Sequence, residues 1–264
     1  MSSLSFDRAV SYYDRTRLMP DWLRVPLVDS LVREAGVMSE LMILEVGIGT
    51  GRIALPFAAR GLPIVGVDLS LAMMGELQRK NAKLGYRVVA AQADANALPF
   101  SDSKFDCVYI VNTLHVVAHW QNATHEAWRI LKPGGSLLVS AHNANPDSIF
   151  DQMQFKLREL AQARGVDAQL PGLRSDEELK TELIGLGETR IVDVVRHVDG
   201  VTPAPMLDGL AARGASTTWM IPENVLAEIM PPLRAWAEQT FGDLSREIEE
   251  ESRFDWMIVR KGKQ

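Results

Sequence analysis

The chain of 264 residues has one cysteine, no Lys/Arg-rich run and no segment resembling a membrane span. Each absence excludes something. A lone Cys107 rules out an intramolecular disulfide and suits a reducing cytoplasm, which is the expected location. It lies in an apolar run and reads as a buried small hydrophobe. No apolar stretch approaches the roughly 18 residues that a membrane crossing needs. Residues 1–13 are polar and mixed in charge, so no signal peptide is expected. Net charge is −6, and a nucleic-acid partner would leave a basic footprint that this chain lacks. The five histidines show no paired spacing on a face shared with the cysteine, so no metal site is expected. No repeat or low-complexity tract is present. What remains is 47% apolar residues, enough for one large α/β domain or one domain with an insertion.

The most informative stretch is Leu44-Glu45-Val46-Gly47-Ile48-Gly49-Thr50-Gly51-Arg52. An apolar strand, Met42 to Val46, delivers an acid and then three glycines at alternate positions. Arg52 to Arg60 follows as a helix-like run. Glycine is needed where a ligand approaches the backbone closely or where φ is positive. The dinucleotide fingerprint requires its third glycine at position 52, which is arginine here. A nicotinamide or flavin oxidoreductase is therefore disfavoured. Leu62 to Asp68 forms a second apolar strand ending in a carboxylate, which can accept hydrogen bonds from both hydroxyls of a ribose. Gln92-Ala93-Asp94-Ala95 precedes Leu98-Pro99-Phe100, and Lys104 to Val111 reads as a third strongly apolar strand. Leu131 to Val139 reads as a helix end, a Pro-Gly-Gly turn and a strand.

In that order and at those spacings, the blocks over residues 42–140 resemble the class I S-adenosylmethionine-dependent methyltransferases, small-molecule type. The resemblance implies S-adenosyl-L-methionine as cofactor and S-adenosyl-L-homocysteine as product. It places Gly47, Gly49 and Gly51 against the methionine part of the cofactor. Glu45 would order the loop and the cofactor's ammonium, and Asp68 would hold the ribose. Asp94 and the Ala95 N–H would meet the adenine, with Leu69 and Met73 over its face. Asn112 would face the methionine end. Phe6 to Asp14 resembles the N-terminal segment that closes over the cofactor in many members, which brings Tyr13 and Arg17 to the site.

Methyl transfer is an in-line displacement at a sulfonium, so alignment of acceptor and methyl supplies much of the acceleration. A base helps where the acceptor is a protonated oxygen or nitrogen. The candidates at the strand ends are Asn112, Thr113 and His115 after the fourth strand and His142 and Asn143 after the fifth, with His115 and His142 taken as the bases. The expected acceptor is a small molecule. Binding without turnover, or methylation of a protein or nucleic acid, are the alternatives. The Asn/Asp-Pro-Pro-aromatic motif of amino-methylating nucleic-acid enzymes is absent: the chain reads Asn112-Thr113-Leu114-His115.

Alternating strands and helices from Met42 to Val139 predict a Rossmann-like, doubly wound α/β sheet. The family pattern adds seven strands, mostly parallel, with one antiparallel strand formed by the end of the chain. Residues 1–264 are read as a single methyltransferase domain: an N-terminal cap at 1–36, a cofactor core at 41–140, and an acceptor cover at 145–188 and 199–250. Arg190–Val198 and Phe254–Arg260 are the expected closing strands, the latter alternating like an edge strand. A monomer or homodimer is expected.

Overall fold

The computed structural model describes residues 2–17, 19–36, 41–140 and 148–263. Seven strands form one sheet: β1 (Ile43–Val46), β2 (Ile64–Asp68), β3 (Val88–Gln92), β4 (Phe105–Val111), β5 (Leu131–Ser140), β6 (Thr189–Val201) and β7 (Ile248–Arg260). Their order is β3-β2-β1-β4-β5-β7-β6. The first five are parallel neighbours, and β7 pairs antiparallel with β5. Strand order reverses between β1 and β4, where an open α/β sheet leaves a crevice at its carboxyl edge.

The helices in chain order are α1 (Tyr13–Thr16), α2 (Asp21–Ala35), α3 (Ala54–Ala58), α4 (Leu71–Leu84) and α5 (Trp120–Ile130). Further on come α6 (Ile149–Gln162), α7 (Asp176–Leu186), α8 (Pro203–Ala211), α9 (Ser216–Trp219) and α10 (Glu223–Phe241). β1 is buried along its whole length, as a central parallel strand covered on both faces must be. Alternation then sorts its side chains. Ile43 packs with Cys107 and Tyr109 under α2, α3 and α4, whereas Leu44 and Val46 pack with Ile110 and Ala127 under α5 and α7. The amphipathic spacing read over Leu71–Leu84 becomes α4, capped by the Ser70 hydroxyl at its start and left-handed Gly85 at its end.

The described chain divides into two compact units. The first comprises Met1–Asn143, Pro171–Val195 and Phe254–Gln264, and the second Ala144–Leu170 and Arg196–Arg253. The second has its own apolar core, in which Met153, Leu157, Leu210, Ile229 and Leu233 are buried where α6, α8 and α10 pack.

Four expectations need correction. The segment 171–188 does not belong with a cover: α7 buries Leu179 and Leu183 in the same core as α5. The cap does not extend to residue 36, because α2 buries Leu27 and Leu31 in the sheet core. The last strand is interior rather than an edge. Phe254, Trp256 and Ile258 pack on one face and Met257 and Val259 on the other, so β7 lies between β5 and β6. Its alternation reflects two apolar faces with different neighbours. The helical run expected over 52–60 is also shorter, covering Ala54–Ala58.

Candidate functional site

An open cleft lies at the carboxyl ends of β1, β2 and β4, with about 660 Å³ of empty volume, part of it open to solvent. Its floor is made by the turn after β1. Gly47 has φ +82°, and a Cβ there would fall 2.2 Å from Thr113 Oγ1, so only glycine lets the loop pass beneath that residue. The Gly47 and Ile48 N–H groups donate to the Val67 carbonyl at 2.8 and 3.0 Å, which binds the loop to the end of β2. Gly49 is different, because a Cβ there would meet nothing closer than 3.9 Å. Its bare backbone faces the cleft, and its N–H donates to Asp68 Oδ2 at 2.8 Å.

Asp68 ends β2. Its other oxygen accepts from the Ser70 N–H at 2.8 Å. Burial pushes its carboxyl above the usual range, opposed by those backbone donors. With the Leu69 N–H as a third donor, the carboxylate still retains a lone pair for a further partner. Glu45, two residues before Gly47, does not line the cleft. Its side chain is 3% exposed and accepts from the Tyr109 hydroxyl at 2.8 Å. Burial raises its pKa to about 8. Gly51 lies outside the cleft as well. It has φ +80°, and a Cβ there would clash with Leu77 of α4.

On the opposite wall, Asn112 follows β4 with φ +50°, an uncommon conformation for a non-glycine residue at a strand end. Asp94 forms an Asx turn, its Oδ1 accepting from the Asn96 N–H at 2.9 Å. The N-terminal segment runs along the rim and is fixed at three places. The Leu4 N–H donates to the Val116 carbonyl at 2.9 Å, and Ser3 Oγ accepts from the Ala118 N–H at 3.1 Å. Asp7 accepts from the Ser70 hydroxyl at 2.5 Å, which holds its carboxyl below the usual range. Asp14 accepts from Thr50 Oγ1 at 2.6 Å and Lys80 Nζ at 2.9 Å. Tyr13 lines the cleft, and the guanidinium carbons of Arg17 and Arg52 lie 5.5 and 5.8 Å from its ring centre.

Of the residues singled out from sequence, Tyr13, Gly47, Gly49, Asp68, Leu69, Met73, Asp94, Ala95 and Asn112 come together around this cleft. Arg17, Glu45 and Gly51 surround it without lining it. His115 does not line it, and its carbonyl accepts from the Gly172 N–H at 3.1 Å. His142 lies outside the described residues. Thr113, one of the candidates at the end of the fourth strand, lines the cleft too, whereas sequence reading missed Ser3, Leu4, Val116 and Val117. The β4 apolar run ending at Val111 is the signal that marks Thr113, whereas nothing local marks Ser3 or Leu4. Among the described residues no cluster of His, Cys, Asp and Glu could hold a metal ion. Nor is any described helix long and apolar enough to cross a membrane.

Comparison with known proteins gives the same core. Residues 43–135 match the family model described as a methyltransferase domain. An uncharacterized protein of Mycobacterium tuberculosis is 30% identical over 172 residues, covering 65% of this chain and 62% of that protein. The demethylmenaquinone methyltransferase of Thermus thermophilus is 37% identical over 110 residues, covering 41% of this chain and 50% of the enzyme. The match thus spans about half to three-fifths of the length of these relatives. The crystal structure of the YcgJ protein from Bacillus subtilis superposes with a TM-score of 0.62 at 20% identity, covering 90% of this chain and 98% of that one.

Proposed function

We propose that this chain, a member of the class I S-adenosylmethionine-dependent methyltransferases with S-adenosylmethionine as its cofactor, methylates a small-molecule acceptor by in-line displacement. The observation that carries the proposal is the pairing of Asp68 with the bare Gly49 backbone across one cleft. The residues present suit the cofactor. Asp68 keeps acceptor capacity for a ribose hydroxyl, and Gly49 leaves space where a side chain would fill the cleft. Leu69 and Met73 offer apolar walls, and Asp94 with the Ala95 N–H offers polar edges for a purine.

When bound, S-adenosylmethionine supplies an activated methyl on a positively charged sulfur. The protein's part is to bind, orient and exclude water. Asn112 and Thr113 define the wall at the end of β4, and Ser3, Leu4 and Phe6 narrow the opening from the N-terminal side. Such positioning lowers the barrier by fixing the approach geometry. The proposal assigns no general base, since His115 stands away from the cleft lining. A small acceptor is favoured by the acidic chain, net charge −6, and by the Thermus relative, named for a demethylmenaquinone substrate. Acceptor preference is assigned to residues 2–17, which supply Ser3, Leu4, Phe6 and Tyr13 to the cleft lining.

The test uses S-adenosylmethionine labelled on the methyl group, incubated with the protein and a panel of small metabolites, quinones and phenols included. Label should move to one acceptor class and be lost with Asp68→Ala. Binding of the cofactor without transfer to any small molecule, together with transfer to protein or RNA, would refute the acceptor assignment.

A further inference from the structure

Asp14 stands outside the cleft lining, yet it joins three parts of the first unit that are distant in sequence. It belongs to α1, in the N-terminal segment. One carboxylate oxygen accepts from Thr50 Oγ1 at 2.6 Å, and Thr50 sits between Gly49 and Gly51 in the loop after β1. The other accepts from Lys80 Nζ at 2.9 Å, on α4. Thr50 is 1% exposed, so its hydroxyl has no alternative partner in water. The Asp14 and Lys80 side chains are 40% and 23% exposed, a partly screened pair. Burial works against the charge on Asp14, but the Thr50 and Lys80 donors hold its carboxyl below the usual range. The residue before it, Tyr13, lines the cleft, and the residue before Thr50, Gly49, holds Asp68. Asp14 therefore ties one wall of the cleft to the loop that presents the ribose acid.

We infer that Asp14 is a positioning residue: its carboxylate locks the N-terminal segment to the glycine loop and to α4, so that seating Tyr13 and fixing the Gly49–Asp68 geometry are one event. The inference rests on the cleft being the S-adenosyl cofactor site. Thr50 is the inner contact, which a neutral acceptor preserves. Lys80 is the outer contact, which requires the charge. The two oxygens can thus be separated by mutation.

Calorimetry with S-adenosylhomocysteine on the full chain measures the effect, alongside melting temperature without ligand. Asp14→Ala should weaken binding about tenfold, as expected for a partly exposed charge-assisted contact. Asp14→Asn, which keeps an oxygen for Thr50, should recover a large part of that loss. Lys80→Met, which leaves the Thr50 contact in place, should cost less than Asp14→Ala. Adding Thr50→Val to Asp14→Ala should cost nothing more, because the partner is already gone. Melting of the ligand-free variants should stay near the wild-type value. Wild-type affinity in Asp14→Ala would overturn the inference, as would an equal loss in Asp14→Asn or an affinity loss that follows a lowered melting temperature. Absence of binding by the wild-type protein itself would instead overturn the cofactor reading, and this inference with it.

Discussion

The carboxyl ends of β1 and β2 are built alike in sequence and differently in space. Each is a short apolar strand carrying an acid just before a turn, and the strands are parallel neighbours. Glu45 is the penultimate residue of β1, and alternation turns it to the face shared by Tyr109 and Cys107. There it is sealed and accepts from the Tyr109 phenol and the Ala54 N–H. Asp68 is the last residue of β2 and reaches the cleft. One position along a strand separates an acid that holds the floor together from one that faces the open cleft. The comparison predicts that lesions at the β1 end disturb folding first, and lesions at the β2 end disturb binding first.

The largest expected cost of a substitution is at Gly47. Valine there combines a positive φ with a clash against Thr113 and should cost about 2–4 kcal/mol of folding stability, measured by urea denaturation. Stability within error of the wild type would break the comparison on the β1 side. Glu45 comes next. Its folded pKa of about 8 exceeds the ordinary value of 4.5, so the folded chain keeps a proton that the unfolded chain releases. Its contribution is therefore complete below about pH 4.5 and declines as pH rises through about 8, by up to roughly 1.4 kcal/mol per pH unit. Glu45→Gln should flatten the ligand-free stability profile in that window. A profile parallel to the wild type would show that Glu45 is ionised throughout.

Asp68→Ala should lose about 1–3 kcal/mol of S-adenosylhomocysteine affinity, the range for a charged acceptor, while melting shifts much less. A change in melting alone would make Asp68 a loop anchor like Glu45. The smallest effect is at Gly49, where φ is +52° but the nearest atom is 3.9 Å away. Alanine there should cost about 1 kcal/mol of stability, from backbone strain alone. A cost equal to that at Gly47 would erase the distinction between a packed and an open glycine.

The first unit was largely readable from the chain because its elements are local and its turns need particular residues. Gly47, Gly49 and Asp68 follow from strand ends and glycine spacing, and the cleft gathers them where the sheet reverses order. The three anchors at Ser3–Leu4, Asp7 and Asp14 were not readable. Each joins partners tens of residues apart through ordinary polar side chains, which carry no periodic signal. The place of α7 was missed for a related reason: its N-cap at Ser175 marks where a helix starts, not which core it joins. In the second unit the chain showed helices but no chemistry, and the structure adds a core of leucines and isoleucines.

The position of β7 has a consequence for the order of folding. β5 ends at Ser140, and its antiparallel partner residues, Met257 to Arg260, come more than a hundred residues later. Such a pairing pays a large loop-closure cost before any contact rewards it. β6 meets the sheet through β7, so it has no place to dock until β7 is seated. During folding, the five-stranded parallel half exposes the flank of β5 as an open edge. Trp256 closes that interval when its indole N–H reaches the buried Ser30 hydroxyl at 2.8 Å. The fluorescence of that tryptophan should therefore report the slowest step in assembly of the sheet.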